Sequence, residues 1–215
     1  MSRRSRRSSK PLVRDQGNRQ EQKRFLIYCE GRVTERIYLS TLRRELRIPG
    51  VQFGTVFGEP LGLVKAAISH KERAPRSAAD KCTPYDEVWC VLDVEAPSPH
   101  PSLERALSLA AQQGVRCAIS NPCFELWLIL HVQNERRPLT TDEACRILER
   151  HGGCSYTRDG KSFRPEALMD NHEVARKRAQ VLAEAHGEGR RPADCNPFTS
   201  VWELVDAMRA TVVEP

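Results

Sequence analysis

The chain of 215 residues is long enough for one substantial hydrophobic core, and its 40% hydrophobic and 29% charged residues are typical of a soluble globular protein. Residues 1–24 carry nine Lys and Arg against two acidic residues, which gives this segment a net charge of +7. The whole chain has a net charge of +6, so the remaining residues sum to −1. No apolar stretch approaches the roughly 20 residues that span a bilayer. The N-terminal arginine pairs lack the apolar segment of an export signal, so we expect a cytoplasmic protein.

The basic segment 1–23 is rich in Ser, Arg and Gln and nearly free of aromatic residues. It cannot bury enough apolar surface to fold alone, and we predict that it is disordered. Its charge suits a nucleic-acid-binding arm that releases counterions, but a solvated leader has the same composition. The arm residues that would contact nucleic acid are Arg3, Arg4, Arg6, Arg7 and Lys10.

From residue 24 onward, strand-like and helix-like patterns alternate. Apolar runs rich in β-branched and aromatic residues predict strands at 24–29, 51–57, 87–92 and 115–119. Apolar residues at helical spacing predict intervening helices at 34–48, 61–73, 101–110 and 120–131. This alternation indicates an α/β fold with a mostly parallel sheet flanked by helices and joined by right-handed crossovers.

From about residue 139 the pattern changes to helices alone. They are predicted at 141–149, 166–186 and 199–212, with a Gly-rich loop at 152–165. We therefore predict two parts behind the basic tail. These are an α/β core over residues 24–135 and a helical extension, packed on the core as a C-terminal cap, over residues 136–215.

The eight cysteines form no Cys-x-x-Cys pair and no Cys/His pair with zinc-finger spacing. Cys29, Cys90 and Cys117 lie inside strand-like apolar runs, where free cysteine behaves as a small hydrophobic residue. We interpret the cysteines as reduced core residues, as expected in a reducing compartment.

Two of the predicted strands end in acidic residues. Glu30 follows the first strand, and Asp93 and Glu95 follow the third. Because ligands bind at the carboxyl ends of parallel strands, we expect these side chains to meet at one edge of the sheet. Carboxylate oxygens suit hard cations such as Mg²⁺ or Mn²⁺, so the sequence predicts a divalent-metal site. For each acid taken singly, a solvated turn residue is the alternative.

Two further glutamates could extend this site. Glu125 lies in a strongly apolar helical pattern, one place beyond the position from which a capping-box glutamate reaches back to Asn121. Burying an unpaired carboxylate is costly, so Glu125 is expected either to reach solvent or to meet a metal ion or an arginine. Glu35, in the first turn of the first helix, is either a dipole-stabilising acid or a further ligand.

Three other positions stay open. His131 ends an apolar helix and is either structural or a catalytic base or phosphate contact. Lys161 and the segment 196–199 could contact substrate phosphates, or they are a loop lysine and a helix start capped by Thr199. The sequence contains no Walker A, dinucleotide-binding or serine-hydrolase motif.

Four segments resemble the RloB-like family, small bacterial proteins encoded in restriction and phage-defence loci, often beside an ABC-type ATPase. The segments are 29–35, 92–95, 119–131 and 196–201. The resemblance extends over about residues 24–210, and its most specific element is Ser-Asn-Pro-Cys-Phe-Glu-Leu-Trp, which begins at Ser120.

The resemblance implies a Toprim-like fold, in which a glutamate at one strand end and Asp-x-Asp at another bind Mg²⁺. It implies that Glu30, Asp93 and Glu95 are metal ligands, with Glu35 and Glu125 completing a second metal position. Glu95 departs from the usual aspartate, which keeps the charge but lengthens the side chain.

The function implied by the resemblance is a metal-dependent nuclease that hydrolyses RNA, tRNA included, or DNA in anti-phage defence, with an ATPase partner. Its catalytic residues would be Glu30, Asp93, Glu95 and Glu125, joined by His131 or Lys161. The alternative is a non-catalytic effector or sensor subunit that docks to an ABC-type ATPase.

Overall fold

Five strands form a single sheet in the computed structural model, which describes residues 23–152, 154–157, 164–187 and 189–212. The strands are β1 (Phe25–Cys29), β2 (Val51–Phe53), β3 (Glu87–Asp93), β4 (Arg116–Asn121) and β5 (Phe198–Thr199), in the spatial order β2-β1-β3-β4-β5. The first four strands are parallel, and β5 runs antiparallel to β4. The predicted α/β architecture with a mostly parallel sheet is confirmed.

Helices cover both faces of this sheet. They are α1 (Thr34–Glu45), α2 (Pro60–Arg73), α3 (Leu103–Gln112), α4 (Glu125–Val132), α5 (Thr141–His151), α6 (Glu166–Met169), α7 (His172–His186) and α8 (Val201–Arg209). Short 3₁₀ turns lie at Ala74–Arg76, Ala78–Asp80 and Pro192–Asp194. None of the helices in these described ranges is long and apolar enough to cross a membrane.

The core consists of two apolar layers, one on each face of the sheet. Helices α1 and α4 to α8 pack on one face, and α2 and α3 pack on the other. All five residues of β1 and six of the seven in β3 are buried. Strands covered on both faces need apolar side chains in both directions, which is why these segments are continuous apolar runs in the sequence.

The connections after β1 and β3 leave towards opposite faces of the sheet. β1 leads into α1 on one face, and β3 leads into α3 on the other. The two strands are neighbours, so a crevice opens between their carboxyl ends, the usual ligand position in open α/β sheets. Glu30 and Asp93 lie at this switch point.

The second strand is shorter than the predicted 51–57. It ends at Phe53, and the next residue, Gly54, lies directly against the ring of Tyr28, where a Cβ atom would overlap that ring. The predicted loop at 74–85 also contains two 3₁₀ turns. Of the cysteines, all of which are free, Cys82 is exposed, and the core interpretation is wrong for this one.

The prediction of helices alone after residue 139 is wrong. β5 pairs with the end of β4, and a hydrogen bond of 3.0 Å between the Thr199 and Ser120 hydroxyls joins them, so the last helix begins at Val201 rather than 199. The predicted helix 166–186 is divided at Asn171, whose N–H donates to the Leu168 carbonyl in a turn between α6 and α7.

The helix predicted from residue 120 begins later, at Glu125, because β4 continues to Asn121. The Asn121 side chain donates to the carbonyl oxygens of Pro192 and Ala193 at 3.0 and 3.3 Å instead of capping the helix. Glu125 is therefore the first residue of α4, and the capping-box comparison does not apply to it.

Candidate metal centre

The ends of β1 and β3 are joined through the Glu30 side chain. Cys29 pairs with Val91 in the parallel ladder, and the Glu30 N–H donates to the Val91 carbonyl at 3.1 Å. The Glu30 Oε2 atom then accepts a hydrogen bond from the Asp93 N–H at 3.1 Å. The strand ladder therefore continues into the site and brings both predicted ligands to the same edge.

Asp93 is a buried acid at the end of β3, and the other acids of the site surround it. Its side chain follows Trp89 and Val91 on the face of the sheet that α1 and α4 cover, and the residue is 8% exposed. The Oδ1 atom is buried and has no hydrogen-bond partner among the described residues. Burial raises the pKa of Asp93 well above its usual range, and four neighbouring carboxylates raise it further; they are Glu35, Glu125, Glu30 and Glu95.

Those four are the other predicted ligands, so the structure places all four of them around Asp93. The carboxylates of the other four accept hydrogen bonds from protein donors. In the part of the chain that the structure describes, no three His, Cys, Asp or Glu side chains are arranged to hold a metal ion. Ligation would therefore require side-chain rotations of these carboxylates.

Glu30 is half-buried next to Asp93. Burial raises the pKa of Glu30 to about 7, the N–H of Asp93 opposes this rise, and the charges of Glu95, Glu35 and Glu59 add to it. Burial and the neighbouring acids therefore disfavour the charged form of the Glu30 carboxylate.

Glu35 lies in the first turn of α1 and is 4% exposed. Its Oε1 atom accepts a hydrogen bond of 2.8 Å from the Gly31 N–H. A Cβ atom on residue 31 would overlap the Glu35 carboxylate. The Glu-Gly pair after β1 thus leaves the space that a buried Glu35 occupies.

Glu125 is buried with an exposure of 3%, and the expectation that it reaches solvent or meets an arginine is wrong for the described residues. Its Oε1 atom accepts hydrogen bonds from the hydroxyls of Thr34 at 3.3 Å and Tyr156 at 2.9 Å. Tyr156 was not identified from the sequence. No local pattern identifies Tyr156, because it comes from the segment that follows α5.

Glu95 lies at the rim of the cluster and is exposed. Its backbone has a φ of +63° in the left-handed region, and its N–H donates to the Pro122 carbonyl at 2.8 Å. Its Oε2 atom accepts a hydrogen bond of 2.9 Å from the Thr141 hydroxyl, so the start of α5 orients this side chain.

His131 lies in the aromatic core, not beside the carboxylates. Its Nδ1 atom is 2.8 Å from the Trp127 carbonyl, so Nδ1 carries the proton, and Nε2 accepts from the Tyr38 hydroxyl at 3.2 Å. Burial lowers the pKa of His131 to about 4. At neutral pH it is an uncharged side chain that connects α4 to α1.

The segment 196–199 also has structural contacts. The Asn196 side chain exchanges hydrogen bonds of 2.9 and 2.7 Å with the Leu139 backbone, and the Thr199 hydroxyl accepts from the Val201 N–H at 3.3 Å. Lys161 and the arm residues Arg3, Arg4, Arg6, Arg7 and Lys10 lie outside the described residues.

Comparison with known proteins supports the resemblance found in the sequence. Neither a search of curated proteins nor one of solved structures found a match. The model of the family described as RloB-like protein matches residues 25–208, which include every acid of the cluster. The chain belongs to the RloB-like protein family.

Proposed function

We propose that this protein is a metal-dependent nuclease that hydrolyses phosphodiester bonds in RNA or DNA. The observation that carries the proposal is the buried Asp93 Oδ1 atom, which has no hydrogen-bond partner among the described residues and lies amid four other carboxylates. An acceptor left in this state costs free energy, and a bound cation would remove that cost.

The donor set fits a hard divalent cation. Within the described ranges, none of Glu30, Asp93, Glu95 and Glu125 forms an ion pair with a basic side chain. Carboxylate oxygens are the ligands that Mg²⁺ and Mn²⁺ prefer. Glu30, Asp93 and Glu125 would hold the metal, with Glu35 and Glu95 as the outer members.

Bound there, the metal would activate water and stabilise charge on the phosphate oxygens. The chain's own residues supply orientation. The strand ladder fixes Glu30 against the Asp93 backbone, and the hydroxyls of Thr34 and Tyr156 fix Glu125. His131 takes no part in proton transfer, because its contacts lie within the core.

The proposed biological role is anti-phage defence, with an ABC-type ATPase as a partner. Its support is family membership together with the loci in which such proteins are encoded. The basic arm of residues 1–23 offers a second contact for nucleic acid.

The test compares the wild type with Asp93→Asn and with Glu104→Gln, a matched change at an exposed acid on α3. Calorimetry with Mg²⁺ and Mn²⁺ is expected to show binding in the wild type and Glu104→Gln and none in Asp93→Asn. Labelled RNA and DNA are expected to be cut only by the two proteins that bind metal. Absence of metal binding by the wild type, or equal cleavage by Asp93→Asn, contradicts the nuclease and favours the docking subunit.

A further inference from the structure

One face of α1 carries a row of arginines that begins two residues after Glu30. Arg36 and Arg43 are partly exposed, and the flanking Arg32 and Arg47 are exposed. Arg36 and Arg43 lie on this face, since positions three, four and seven residues apart align along a helix. Arg32 precedes α1, two residues after Glu30, and Arg47 follows its last turn. We name Arg32, Arg36, Arg43 and Arg47 the arginine track. The helix that carries it is about 18 Å long.

The positive charge of the track is not neutralised within the described residues. None of its four arginines forms an ion pair there, whereas the adjacent Arg44 pairs with Glu166 at 2.7 Å. Arg36 donates one hydrogen bond to the Gly54 carbonyl at 3.1 Å, which leaves most of its N–H donors available.

Aromatic rings support the end of the track nearest the carboxylates. The Arg32 guanidinium lies 5.3 Å from the Phe57 ring centroid, and Arg36 lies 5.4 and 5.5 Å from those of Phe53 and Phe57. Such stacking holds the guanidinium planes in place and leaves their edges able to pair with phosphate.

The other end of the track opens into a cleft of about 410 Å³. Arg43, Arg44 and Arg47 line it. The first strand begins near this cleft, because the Phe25 N–H donates to the carbonyl of Gly50, which follows the cleft residue Pro49, at 2.8 Å. The basic arm, which precedes β1, therefore joins the fold nearby. The arm and the cleft are both positively charged, and their repulsion argues against the arm as the occupant of the cleft. It favours a polyanion, which the arm and the cleft could bind together.

We propose that the arginine track binds the phosphodiester backbone of a nucleic acid and leads one strand to the carboxylate cluster. The inference rests on the proposed function, because the track begins next to the carboxylates at which phosphate would react. An unpaired basic row interleaved with aromatic rings is typical of single-strand binding, and guanidinium groups pair with phosphate in two parallel hydrogen bonds. The residues after position 24 sum to a net charge of −1, so the positive charge of the track is concentrated locally and is not a property of the whole fold.

The test measures binding of fluorescein-labelled oligouridylate and oligothymidylate by anisotropy, over a range of salt concentrations, with EDTA present so that cleavage plays no part. The variant is the full chain with Arg43→Gln and Arg47→Gln. Its control carries Lys65→Gln and Arg105→Gln, which removes the same charge from exposed positions on α2 and α3. Thermal unfolding confirms that both variants are folded.

Loss of two phosphate contacts is expected to weaken binding about tenfold at about 0.1 M salt and to reduce the slope of log K against log salt by about 1.4. The control is expected to bind as the wild type does. Equal affinities and slopes for the two double variants overturn the track, including the case in which an acidic protein is its true partner. The outcome is independent of the metal site, because Asp93→Asn is expected to bind both oligonucleotides normally.

Discussion

The backbone N–H of Asp93 donates a hydrogen bond of 3.1 Å to the carboxylate of Glu30, which lies 63 residues earlier in the chain. Glu30 immediately follows β1, and Asp93 is the last residue of β3. These two strands are paired with each other, so the sheet ladder fixes the separation of the two residues. A one-residue slip of either strand would turn its acid to the opposite face. The position of the proposed metal centre is therefore a property of strand register.

Asp93→Asn is expected to stabilise the protein in EDTA at about pH 8. The pKa of Asp93 is raised in the fold, so the folded state binds a proton more tightly than the unfolded state, and stability is lost as pH rises above the unfolded pKa. Replacing this titratable carboxyl by an amide should raise the free energy of unfolding by about 1–3 kcal/mol, as measured by urea denaturation. Added Mg²⁺ should stabilise the wild type alone. A variant less stable than the wild type under these conditions would contradict the buried-charge account.

Gly31→Ala is expected to displace the Glu35 carboxylate, because the added Cβ atom would overlap it. Loss of the bond from the Gly31 N–H should cost about 1–2 kcal/mol in urea denaturation and weaken metal binding in calorimetry. The control is Gly62→Ala, where the Cβ atom meets only the end of the exposed Glu59 side chain. Unchanged metal affinity in Gly31→Ala would exclude Glu35 from the site.

Tyr156→Phe removes a hydroxyl that donates to the buried Glu125 at 2.9 Å. A hydrogen bond to a charged group contributes about 2 kcal/mol and one to a neutral group about 1 kcal/mol. The change should therefore cost about 2 kcal/mol in the wild type and about half as much in a Glu125→Gln background. A double-mutant cycle by urea denaturation measures the coupling. Identical costs in the two backgrounds would show that the hydroxyl does not support a carboxylate charge.

His131 is expected to make the protein sensitive to acid. Its pKa is lowered to about 4 by burial, helped by the charges of His172, Arg178 and Arg209, against about 6.5 in the unfolded chain. The unfolded state binds more protons between these values, so stability is present above about pH 6.5 and falls as pH drops to about 4.

The contribution lost over this window is up to about 3 kcal/mol. His131→Gln should flatten the pH dependence of the free energy of unfolding, although the lost bonds to Tyr38 and Trp127 lower stability at neutral pH. The control is His151→Gln at an exposed position, which should leave the pH dependence unchanged. An equally steep acid transition in His131→Gln would contradict this assignment.

Local patterns were sufficient for the elements of the core. The buried runs of β1 and β3 and the acids at their ends are visible in sequence because side-chain periodicity and strand termination are local properties. They predicted that Glu30 and Asp93 meet at one sheet edge. Element boundaries were less certain, as the late start of α4 and the short β2 show.

The amino-acid sequence by itself determined the α/β class, the acidic strand ends and the family. Only the tertiary structure decided that β1 and β3 are neighbours, that Tyr156 supports Glu125, and that the residues after α7 return as β5. The tertiary structure was also needed to show that the arginine track has no acidic partners among the described residues. The physical reason is that strand order and hydrogen bonds between distant segments depend on how whole elements pack, whereas residue spacing reports only on each element alone.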